Sequence, residues 1–254
     1  MMTRLKRNTL VLLGLLVLIL APPAFAQDET GDAAGWSNTF VLYLLGPTLD
    51  GTVGIGPAEG DVSLDAGDVF SALDGAFLGI YAGEGERWGV VADLVYMDLS
   101  ADDLSGPVGI LSGEVGNKQT TALGSISYRI TDHLRLLAGL MYTDITAKIR
   151  IDGPIETRGA KTSESWVDPV VGLWYSAPIG NRWDFSGIAQ VGGGAGADLA
   201  YILTASFSWK FGKNTSLSLG YRYLDFDYED GSGLDRFKFD MKEHGPAVGF
   251  RFQW

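Results

Sequence analysis

The fold is constrained most tightly by the last fifteen residues, Asp240 to Trp254. Val248, Phe250, Phe252 and Trp254 alternate there with Ala247, Gly249, Arg251 and Gln253. Successive side chains of a strand point to opposite faces, so the stretch carries one apolar face and one polar or small face. The same period of two is cleanest in Tyr201, Leu203, Ala205, Phe207 and Trp209 set against Ile202, Thr204, Ser206, Ser208 and Lys210. A chain written this way is all-β, built from two-faced strands.

Ten such segments can be read, near 36–45, 74–83, 88–99, 119–129, 134–147, 164–176, 183–191, 201–210, 216–223 and 240–254. Their connections sort by parity. Those after the second, fourth, sixth and eighth are short, and those after the first, third, fifth and ninth are long, near 46–73, 100–118, 148–163 and 225–239; the one after the seventh is brief. An even strand count with short turns at one end and long loops at the other is the pattern of a closed antiparallel transmembrane β-barrel. Eight strands is the alternative, with the first two in a plug or one pair of segments belonging to a single strand. The 46–73 connection reads as a loop or partial lid, Pro169 as a bulge or an irregular spot, and the Gly192–Gly196 run as a hairpin tip.

Residues 1–26 read as a secretion signal: Arg4, Lys6 and Arg7 precede an apolar run from Leu10 to Leu20, and Ala24-Phe25-Ala26 is a small-x-small cleavage site. Residues 27–35 form a polar lead, and 36–254 the barrel domain. The leader holds three basic and no acidic residues, so its removal takes the formal charge from −12 to −15. That balance excludes the basic footprint of a nucleic-acid binder. Cysteine is absent. Beyond the leader no apolar run reaches helix-spanning length, so a membrane crossing must be made by strands.

The aromatic-ended final strand resembles the terminal signature that bacterial outer-membrane barrels present to their assembly machinery, here Val248, Phe250, Phe252 and Trp254. Together with the leader, Trp36–Leu45 followed by Gly51-Thr52-Val53-Gly54, Trp88–Leu99, and the tail from Gly212 through Tyr223, the chain resembles a family of largely uncharacterised Gram-negative outer-membrane β-barrel proteins, porin-like in general appearance. The resemblance implies an outer-membrane location, periplasmic termini, and contact with outer-membrane lipid and lipopolysaccharide. It brings no catalytic residue, metal or cofactor, and leaves the oligomeric state open.

With the apolar face outward, Asp93, Arg129, Arg135, Asp168, Asp184, Lys210, Arg222, Glu243 and Arg251 face the interior or its rims. Opposite charges in so narrow a space are expected to pair into a network. Trp88, Tyr96, Tyr142, Tyr175, Trp183, Tyr201, Trp209, Tyr221, Tyr223, Phe252 and Trp254 are the candidates for two membrane girdles. Of two histidines, His133 falls in a short turn; His244 lies beside Glu243 near the loop end of the last strand, where a catalytic role would need a converging carboxylate and a cavity. Asp225, Asp227, Glu229, Asp230 and Asp235 do not match the spacing of a calcium loop and read as a solvated acidic surface. The expected function is that of a non-enzymatic barrel acting structurally or through its loops, with passive passage of small solutes as the alternative.

Overall fold

The computed structural model describes residues 35–101, 112–152 and 157–254. The expected signal segment, the lead up to residue 34, and the central parts of the 100–118 and 148–163 connections lie outside these residues. Ten strands close into a ring: β1 (Ser37–Leu45), β4 (Leu73–Glu84), β5 (Trp88–Ala101), β6 (Ser112–Arg129), β7 (Leu134–Asp152), β8 (Thr157–Ile179), β9 (Trp183–Gly192), β10 (Leu199–Lys210), β11 (Thr215–Asp230) and β12 (Phe237–Gln253). Every pairing is antiparallel, and β1 closes against β12 with Phe40 opposite Phe252 and Leu44 opposite Val248. Closure removes the sheet edges that lipid could not satisfy. At this seam Gly249 faces Tyr43, and a Cβ there would come within 2.7 Å of the Leu42 carbonyl oxygen.

One face of each strand is exposed and apolar, the other buried. On β10 the outward row runs from Tyr201 to Trp209, about 27 Å along the strand at roughly 3.3–3.4 Å per residue. At a tilt of about 40° this covers roughly 20 Å, close to the apolar band of an outer-membrane barrel. Trp88, Tyr128, Tyr175, Trp183, Trp209 and Trp254 ring the end where β1 begins, β12 ends and the short turns lie, called here the terminal rim. Trp88 and Tyr128 meet edge to face at 4.9 Å.

The strands run further towards the opposite, loop rim than hydrophobic alternation indicates. β6 starts at Ser112, β8 at Thr157 and β12 at Phe237, while β11 continues to Asp230. Above the lipid band neither face need be apolar, so the period of two fades although the backbone ladder continues.

Residues 46–73 are not a loop. β2 (Thr48–Ile55) continues the line of β1 beyond Gly46-Pro47 and pairs with the upper part of β12, and β3 (Ala58–Leu64) folds back on β2. These two strands lie outside the ten-stranded ring. Helix α1 (Ala66–Ser71) then leads into β4; Asp65 caps it, accepting from Gly67 and Asp68 N–H at 2.7 and 3.0 Å, while Asp68 accepts the Asp65 N–H. Among the described residues β3 has no strand on its outer edge, and the start of β4 pairs only with β5. α1 is the connection across this interval: Val69 is buried and the Phe70 ring lies over Gly46. Pro169 sits within an unbroken β7–β8 register, just beyond the end of β9, and marks no bulge.

Candidate functional site in the barrel lumen

The inward residues divide the lumen into two halves of different chemistry. In the loop half Leu123, Met141, Ile145, Ile202, Leu224, Phe226 and Phe239 form one continuous apolar core, with Met141, Ile145 and Phe226 fully buried. Burying each such side chain contributes about 1.5–3 kcal/mol relative to leaving it in water. Val69 of α1 joins this core from one side, and Ala197 from the β9–β10 connection. That connection does not extend outward as a free hairpin tip. The Asp168 carboxylate accepts Gly196 N–H at 2.7 Å and Ala197 N–H at 3.1 and 3.2 Å and holds it inside. Trp166, beside Asp168 on the inner face of β8, stacks on Tyr228 at 3.9 Å and 12°.

Below the core Arg222 of β11 donates to Asp93 of β5 at 2.6 Å, bridging strands on different sides of the ring, with both side chains largely buried. The Tyr43 ring lies 5.8 Å from the guanidinium. Nearer the terminal rim Arg135 pairs with Glu84 at 2.7 Å, and Asp184 receives Lys210 at 2.9 Å and Arg251 at 3.4 Å. Of the residues expected in a lumen network, Asp93, Arg135, Asp184, Lys210, Arg222 and Arg251 are thus brought into ion pairs, and Glu84 is an additional member. Arg129 donates to the Gly85 carbonyl instead. Asp168 serves as an acceptor for backbone N–H groups, because the inward fold of the β9–β10 connection brings those donors to it. Glu243 is buried beside the apolar core without a direct cation, and its Oε2 has no hydrogen-bond partner among the described residues.

Between the Arg222–Asp93 bridge and the terminal rim lies a cavity of about 330 Å³. Val41, Ile80, Ala82 and Val91 line one side, Thr204, Ser206, Ser208 and Ser218 the other. Trp174 and Ile188 extend the apolar wall; the Trp174 indole N–H donates to Ser186 Oγ at 3.0 Å. His133 and Asp132 line its mouth, and His133 Nδ1 lies 3.1 Å from the Ser176 carbonyl.

The girdle candidates within strands occupy outward positions in the register, and Trp254, just past the end of β12, is exposed. Towards the loop rim three of them share a motif: Tyr96, Tyr142 and Tyr223 donate to the carboxylates of Asp98, Asp144 and Asp225, at 3.3, 3.3 and 2.7 Å. Tyr-x-Asp places ring and carboxylate on one face of a strand, the acid one step nearer the loop rim. This repeated triplet was a readable signal that apolar periodicity passes over. His244 also faces outward, its ring between those of Tyr221 and Tyr223 at 6.1 and 5.9 Å. The Tyr221 hydroxyl is 2.7 Å from Nδ1, and Asp50 Oδ2 is 3.7 Å from Nε2. A carboxylate is therefore near, but the ring lies outside the lumen cavity.

The loop-rim extension has its own ionic centre. Arg236 contacts Glu229 at 2.6 Å and Glu59 at 2.5 Å, joining β11 to the tip of the β2–β3 hairpin. The Arg236 hydrogen bond holds the Glu229 carboxyl below its ordinary pKa, and the two carboxylates raise that of Arg236.

The fold and this lumen define the class: a closed antiparallel barrel of the bacterial outer-membrane type. The outer-membrane protease OmpT of Escherichia coli superposes with a TM-score of 0.52 at 9% identity, over 90% of this chain and 100% of that one. Ail of Yersinia pestis, solved with the heparin analogue sucrose octasulfate, gives 0.38 at 13% identity, over 87% and 99%. A FadL homologue from Pseudomonas aeruginosa gives 0.40 at 9% identity, over 86% and 90%. Neither the protein-family models nor the curated proteins compared with the sequence give a match. The likeness is one of fold.

Proposed function

We propose that the protein is a sealed, non-enzymatic barrel of the bacterial outer membrane that acts through its loop-rim extension, with both termini and the short turns on the periplasmic side. The observation that carries this reading is the apolar core in the loop half of the lumen, where Met141, Ile145 and Phe226 have no exposed surface. A path for ions and polar solutes needs polar, hydrated walls, and this barrel replaces them with packed side chains. The outward aromatic rows supply contact with lipid and lipopolysaccharide, and the row Val248, Phe250, Phe252 and Trp254 is suited to reading by the assembly machinery. The extended walls of β6, β7, β8, β11 and β12 and the β2–β3 hairpin form the surface left for contact with other molecules.

His244 supports this reading rather than an enzymatic one. Its Nδ1 is engaged by Tyr221, and although Asp50 lies near, the ring sits between Tyr221 and Tyr223 and does not line the lumen cavity. It acts as part of the loop-side aromatic girdle.

The test is single-channel recording of the refolded mature protein in a planar bilayer. Folded, inserted protein is expected to give no steady conductance. Reproducible openings whose ion preference changes in Arg222→Ala would replace this reading with a narrow pore.

A further inference from the structure

We infer that the cavity between the Arg222–Asp93 bridge and the terminal rim is a binding site for a small neutral amphiphile: a molecule with one uncharged hydrogen-bonding head and one apolar body. Two opposed walls carry the inference. β1, β4 and β5 present Val41, Ile80, Ala82 and Val91, whereas β10 and β11, across the ring, present Thr204, Ser206, Ser208 and Ser218. Its volume of about 330 Å³ lies at the lower end of the range for small-molecule pockets, roughly 300–1,000 Å³.

The inner end supplies the second observation. Tyr43 and Arg222 line the cavity and are 7% and 2% exposed. The Tyr43 hydroxyl and Arg222 Nε have no hydrogen-bond partner among the described residues; the same holds for Asp93 Oδ1 in the bridge and for Arg251 Nε nearer the rim. Buried polar groups are normally satisfied, so the open donors at the closed end of the cavity mark where a ligand's polar atom belongs. The Arg222 charge is already met by Asp93 at 2.6 Å. A carboxylate or ammonium head would therefore enter as an unpaired buried charge, which is costly. A hydroxyl or carbonyl oxygen accepts from Nε and the phenol without that cost. The apolar body then lies along Ile80, Ala82 and Val91. Binding of this kind is independent of whether the loop half conducts.

The absence of cysteine allows a direct test. In refolded protein in lipid vesicles, Ser206→Cys on the cavity wall and Lys213→Cys in an exposed terminal-rim turn are labelled with a small methanethiosulfonate, with octanol, octanoate or octyltrimethylammonium as probes. The inference expects octanol to slow Ser206→Cys labelling saturably while leaving Lys213→Cys unchanged. Protection should vanish in Ala247→Phe, which fills the cavity. Tyr43→Phe keeps the ring and removes only the hydroxyl; losing one hydrogen bond should raise the half-protecting octanol concentration roughly five-fold. Lack of saturable protection, equal slowing at both cysteines, or protection surviving Ala247→Phe would overturn the site. Octanoate or the ammonium protecting as well as octanol would overturn the neutral-head assignment. A silent bilayer recording bears only on the sealed-barrel reading, so the two can fail separately.

Discussion

Asp168 on β8 accepts the backbone N–H of Ala197 through both carboxylate oxygens, at 3.1 and 3.2 Å, although the two residues are 29 positions apart in sequence. Gly196 donates to the same carboxylate at 2.7 Å. A fully buried acid with no cation beside it among the described residues thus finds its compensation in main-chain donors, as buried carboxylates must. The contact draws the β9–β10 connection into the barrel, where Ala197 completes the apolar core.

Asp168→Ala is therefore expected to release residues 193–198 from the lumen. Hydrogen bonds to a charged group contribute about 1.5–3 kcal/mol each. Allowing for relaxation of the freed segment, the loss should be on the order of 3 kcal/mol, read by urea unfolding in lipid vesicles. Flickering conductance should accompany it. Unchanged stability together with a silent bilayer would show that the latch contributes nothing.

The bridge between Arg222 and Asp93 makes a different prediction. Asp93→Ala leaves Arg222 buried without its partner and should cost about 3–5 kcal/mol. Replacing both ends, as Asp93→Leu with Arg222→Met, removes two desolvated charges and should recover most of that loss. A double variant as unstable as the single one would mean that the charges are required individually.

How much of this was legible follows from where lipid acts. Between the girdles the outward face must be apolar, so segments such as Tyr201–Trp209 announce themselves by period, and ten of them with sorted turns specify a closed ring. Above the girdles that pressure ends. β2 and β3, with Thr48, Asp50 and Thr52 on one face, carried little signal, and 46–73 read as a loop. The inward charges were visible one by one. Their pairing was not, because Arg222 meets Asp93 through a separation of 129 residues that only barrel closure brings together. Asp168 looked like a member of that network because nothing local shows that a glycine-rich connection would fold inward onto it.

The apolar interior is testable by comparing one residue from each face. Phe226 is fully buried in the lumen and Phe207 is 48% exposed on the outer surface. Phe226→Ala should cost about 3–5 kcal/mol, as for truncation in a packed core. Phe207→Ala should cost less, since lipid chains occupy the vacated space. Unfolding in vesicles of defined lipid would read the difference; equal costs would argue that the loop half of the lumen is not packed.

The loop-rim extension should loosen in acid. Arg236 donates to Glu229, and Lys238 adds a weaker attraction, so the Glu229 carboxyl lies below its ordinary value of 4.5. A depressed carboxylate contributes stability that is present above the unfolded value and lost as pH falls through the folded one. The contact to β11 is accordingly intact at neutral pH and fails at pH values below about 4.5. A spin label at Leu234→Cys, whose parent side chain is 85% exposed beside the clamp, would follow this as increasing mobility on acidification. Glu229→Gln keeps the shape and removes the titrating group, so its label should be more mobile at neutral pH and show a smaller acid step. Glu59 also contacts Arg236, at 2.5 Å, so the hairpin keeps one hold on Arg236 in this variant. Identical profiles in the two proteins, or mobility that rises with increasing pH, would exclude Glu229 as the residue that couples β11 to the β2–β3 hairpin.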